Sequence, residues 1–62
     1  MKQQIKALTD KFVRLEWKRN GGTHSFTGVI KHPKIVQFTF VVNKEHRHKV
    51  RFENVKNVEL IK

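Results

Sequence analysis

Arg47, Lys49 and Arg51 alternate with His48 and Val50 in the stretch HRHKVRFENVKNVEL, residues 46–60. Side chains two apart in a strand share a face, so the three cations would stand in one row. Such a row holds phosphate and reads no sequence. Arg14 and Lys18 occupy one face of an earlier alternating stretch, and Lys34, like Lys31 and Lys44, falls in or beside a turn. Arg47, Lys49, Arg51, Arg14, Lys18 and Lys34 are the candidate nucleic-acid-binding set.

Other chemistries are less well provided for. General acid–base work by carboxylates needs two convergent acids. Asp10, Glu16, Glu45, Glu53 and Glu59 are scattered without a pairing interval, and read as surface partners of the basic residues. His46 and His48, two apart, would share a strand face as two metal ligands do. The chain has no Cys, so a complete site would also need His24 or His32. No phosphate loop or dinucleotide fingerprint is present. The expectation is a protein that is not an enzyme, with no metal and no cofactor.

Charge points the same way. Fourteen Lys and Arg against five Asp and Glu leave a net +9. That exceeds the magnitude of about 2–8 that keeps a small domain soluble. The field attracts RNA or DNA, an acidic protein, or an anionic membrane. No apolar run approaches the roughly 18 residues a membrane span needs, and the start lacks a signal-peptide pattern. Cytoplasmic residence without a membrane partner is expected.

These residues need a scaffold, and 62 residues allow one domain, 1–62. A chain this short buries only about 60% of its unfolded surface. Five Phe and one Trp must supply much of the core, with no disulfide to help. Closure into a barrel, or association with a second copy, would compensate. Ile5, Leu8 and Phe12 share a helical face, which predicts a helix over about 2–11 with a Lys6–Asp10 pair, docked on the rest. Val13, Leu15 and Trp17 alternate with charged residues, which predicts a strand with Trp17 in the core. Asn20-Gly21-Gly22 suits a tight hairpin turn. In the next strand Phe26, Gly28 and Ile30 share a face, with Gly28 read as a kink and Pro33 as the end. Val36, Phe38, Phe40 and Val42 fill one face of the strand after that. The closing stretch has Val50, Phe52, Val55, Val58 and Leu60 at intervals of two, three, three and two. That predicts strand, one 3₁₀ turn across 54–57, and strand. The fold class is therefore mainly β: a short N-terminal helix, then a five-stranded antiparallel barrel over about 13–61.

Phe26-Thr27-Gly28-Val29-Ile30 resembles the aromatic-x-Gly-x-aliphatic core of the first Sm motif. The intervals from Val50 to Leu60 resemble the closing segment of Sm-like and SH3-like small barrels, and the C-terminal pattern of YolD-like proteins. The resemblance implies the barrel alone. The Asp and Asn of the Sm uridine pocket are replaced here by residues 32–36, HPKIV, and the Arg-Gly of the second motif by Glu53-Asn54. Separately, Gly22-Thr23-His24 resembles the glycine-Ser/Thr-His motif of HicA-type toxins, which implies an RNase with His24 as its acid or base.

Three functions follow, in order of preference. The first is a basic barrel that contacts the nucleic-acid backbone, in a regulatory role. The second is a protein-interaction module, a small host or phage regulator, docking on an acidic protein surface. The third is a HicA-like RNase using His24.

Overall fold

The computed structural model describes residues 2–61. It contains one helix, α1 (Lys2–Ala7), and five strands: β1 (Phe12–Arg19), β2 (Gly22–Lys31), β3 (Gln37–Val41), β4 (Arg47–Arg51) and β5 (Val55–Leu60). A 3₁₀ turn, Phe52–Asn54, joins β4 to β5. All strand pairs are antiparallel, in the order β4-β3-β2-β1-β5. The mainly β architecture is the expected one.

The helix is shorter than its periodicity predicts. Leu8 and Thr9 donate to the carbonyls of Ile5 and Lys6, three residues back, which tightens the last turn. Asp10 then adopts a left-handed φ of 67° and donates its N–H to the Ile30 carbonyl. Asp is among the few residues that tolerate this region. The Asp10 carboxylate accepts from Lys31 Nζ at 2.7 Å, so the expected Lys6–Asp10 pair does not form. Phe12 starts β1 and is half exposed, while Ile5 is fully buried in the core.

In β1, Val13, Leu15 and Trp17 are buried as their alternation requires. Asn20 (φ 50°) and Gly21 (φ 79°) make the two-residue turn to β2, closed by the Arg19–Gly22 pair. β2 bends between two partners: residues from Gly22 to Val29 pair with β1, and Val29 to Lys31 pair with β3. Gly28 sits at the crossing. A Cβ built there would lie 2.4 Å from the Val41 carbonyl oxygen and 3.1 Å from Val42 Cα. Both are backbone atoms, so close approach requires this glycine as much as the bend does. Gly28→Ala is expected to cost about 1–3 kcal/mol. At about 4–8 °C per kcal/mol for a domain this size, thermal unfolding should move down by that multiple. An unchanged midpoint would show that the end of β3 yields freely.

β3 is also shorter than its apolar run. The Lys34 N–H donates to the Gln37 carbonyl at 2.7 Å, closing a loop over Ile35 and Val36. Both side chains are therefore thrown outward, Ile35 to 82% exposure, and Val36 is not part of the core face. Phe38 and Phe40 are fully buried, as expected.

The two intervals of three in the closing stretch have different causes. The 3₁₀ turn spans Phe52–Asn54, not 54–57, and carries the chain from Phe52 to Val55. Val55 and Val58 then reach the same face through a bulge. Glu16 pairs with Asn57 and Trp17 with Val55, so Lys56 is the extra residue.

The core comprises Ile5, Val13, Leu15, Trp17, Ile30, Phe38, Phe40, Val50 and Phe52. Phe38 and Phe52 rings pack at 5.2 Å. Among the described residues β4 and β5 exchange no ladder hydrogen bonds, so the sheet keeps a seam between its edges. It is nevertheless strongly curled. Trp17 on β1 and His48 on β4, three positions apart in the sheet, bring their rings within 5.4 Å.

Candidate nucleic-acid interface

β4 alternates as the sequence requires: Arg47, Lys49 and Arg51 are exposed, while His48 and Val50 point inward. The cations stand opposite Val41, Thr39 and Gln37 of β3, none of which is charged. Arg51 Nε meets Glu53 Oε1 at 3.3 Å, an exposed ion pair of little strength.

A groove of about 360 Å³ lies between β4 and the end of β1, beside the turn that joins β4 to β5. Lys18 and Arg19 from β1 line it with Arg47, Lys49 and Arg51 from β4, and Trp17, His48, Val50 and Asn54 complete it. Curling of the sheet thus gathers five cations from two strands. Of the predicted set, Arg47, Lys49, Arg51 and Lys18 come together here. Lys34 does not line the groove; it lines a separate small hollow of about 50 Å³ with Lys49, His32, Gln37, Phe38 and Thr39. Arg14 does not line the groove; it sits on β1 opposite Glu59 of β5. β1 neighbours β5, as expected, while β4 lies at the far edge of the ladder and comes near β1 through the curl of the sheet, at the Trp17–His48 contact and the groove. A larger cleft, about 610 Å³, lies near Lys31, His32, Lys44 and Arg47. The Asp10 carboxylate also faces it, held below its usual 3.8 by the hydrogen bond and charge of Lys31. That negative group makes it the poorer seat for a polyanion.

Arg19, His24 and His48 were not in the predicted set as phosphate ligands, yet parity points to them. Arg19 continues the inward row Val13, Leu15, Trp17. His24 and Phe26 continue Gly28 and Ile30, and His48 continues Val50. At this end of the sheet the inward rows run out of aliphatic residues. Their polar and aromatic members collect around Trp17. His24, Phe26 and His48 rings lie 5.8, 5.8 and 5.4 Å from it. Arg19 Nη1 is 3.4 Å from His48 Nδ1, the geometry of a donor facing a neutral imidazole. Among the described residues no three His, Asp or Glu side chains are grouped to hold a metal. No helix among them is long and apolar enough to cross a membrane.

Burial and the nearby charges of Arg19, His24 and His46 hold the His48 imidazole below its usual 6.5. The unfolded chain therefore takes up this proton more readily than the folded one. The linkage slope is positive: stability falls as pH drops below 6.5, until folded His48 itself protonates. Urea midpoints measured between neutral and mildly acid pH should decline, and decline less in His48→Gln. Equal declines would place the effect elsewhere.

No family model, no curated protein and no solved structure matches this chain.

Proposed function

We propose that this protein binds nucleic acid through its phosphate backbone, in the groove between β4 and the end of β1. The observation that carries this reading is the convergence of Lys18, Arg19, Arg47, Lys49 and Arg51 on one groove. Among the described residues, the one ion pair that any of the five makes is that of Arg51 with Glu53. Lys and Arg release condensed counterions when they meet phosphates, so affinity should fall linearly in log–log form with salt. Fluorescence anisotropy with labelled RNA and DNA over a salt series tests this. Four to five contacts predict a slope of about −3 to −4 on single strands. Absence of binding at low salt would overturn the reading. Denaturing gels of the same RNA would separate binding from cleavage at His24.

An acidic protein partner is the second reading. Exposed Ile35 and Val36 beside Arg51 favour it, because a protein interface joins apolar contact to charge. A complex that survives nuclease treatment would select it.

A further inference from the structure

Phe26 is the exception among the inward-facing aromatics. Phe38 and Phe40 are at most 1% exposed, and Trp17 is 3% exposed, whereas Phe26 is 41% exposed. Its ring neighbours two histidines. His24 is 6.2 Å away at an interplanar angle of 14°, and His48 is 5.9 Å away at 20°. The three rings are thus nearly parallel, although they come from β2 and β4. Trp17 backs all three, and its own ring packs edge-on against Phe40 at 5.6 Å and 69°. The aromatic strip is therefore anchored on the core through Trp17.

The strip also adjoins the cations. His48 lines the basic groove, and Arg19 bridges from the groove to the His48 ring. Part-exposed aromatic side chains beside a basic groove are the combination that holds unpaired bases. Duplex bases are already stacked and cannot offer their faces. We propose that His24, Phe26 and His48 form a base-stacking platform, so that the ligand of the groove is single-stranded nucleic acid. This rests on the phosphate-binding reading above and adds the class of ligand to it. Stacking tolerates any base, because every base has a π face, so sequence preference should be small.

The test compares oligothymidylate of about twelve nucleotides with an abasic sugar–phosphate strand of equal length, and with duplex DNA. Wild-type protein should bind the thymidylate about tenfold more tightly than the abasic strand. Phe26→Ala should bring thymidylate affinity down to the abasic level, and leave abasic affinity and salt slope unchanged. Phe26→Trp should restore the preference, which separates stacking from simple damage to the fold. Equal affinity of wild type for thymidylate and abasic strands would overturn the platform while leaving the phosphate groove standing. Preference for duplex DNA would overturn it as well. Failure to bind any of the three would overturn the groove, and the platform with it.

Discussion

Replacing Arg47, Lys49 and Arg51 together by alanine should lower nucleic-acid affinity about a hundredfold at 0.1 M salt. The size follows from counterion release. Each phosphate contact on a single strand contributes about 0.7 to the log–log salt slope. Three contacts therefore contribute about 2 units, which over the decade from 1 M to 0.1 M salt is two powers of ten. The side chains are exposed and opposed by uncharged residues of β3, so their removal leaves no buried charge unpaired. The fold should survive, with an unchanged thermal midpoint as the control. Anisotropy over a salt series measures both numbers. Wild-type affinity in the triple variant would show that phosphates sit elsewhere, with the cleft near Lys31 and Lys44 as the next place to look.

Phe40→Ala should leave the protein without a cooperative unfolding transition at 25 °C. Phe40 is fully buried and pairs across the sheet with both Ile30 and His48. Truncating a buried Phe costs about 3–5 kcal/mol. A core in a domain below about 70–80 residues rarely supplies more than that amount. With no disulfide to limit the unfolded chain, nothing offsets the loss. Phe40 also supports Trp17 from beneath, so any residual fold should show altered Trp17 fluorescence. Near-ultraviolet circular dichroism and a thermal melt decide the matter. A cooperative melt within about 5 °C of wild type would contradict the prediction.

Strand alternation made much of this fold legible in the sequence. Val13, Leu15 and Trp17 gave the inner face of β1, and Arg47, Lys49 and Arg51 the outer face of β4, because a period of two leaves little choice. Errors arose where tertiary contacts decide local structure. The helix stops early because Asp10 is drawn to Ile30 and Lys31, residues far away in sequence. The interval from Val55 to Val58 looked helical because a bulge and a 3₁₀ turn each place apolar residues three apart. The candidate site was half legible. Its outward cations follow from parity on one strand, but their meeting with Lys18 and Arg19 depends on how far the sheet curls. Phe26 reads as sharing the face of Gly28 and Ile30, His48 as a metal-ligand candidate with His46, and His24 as an RNase acid or base; nothing in their spacing brings the three together. Periodicity assigns a face; it does not mark where along that face the interior ends.

The seam has a further consequence for how copies of this chain behave in a crowd. An unpaired strand edge is a template on which a neighbouring molecule can lay its own strand. β4 presents such an edge, and it is studded with Arg47, Lys49 and Arg51. Two such edges carry like charge and should repel each other, so the residues proposed to hold phosphate would also disfavour edge-to-edge pairing. On the proposed function, ligand capture and colloidal stability would be entrusted to the same three side chains, and neither property could be tuned without moving the other.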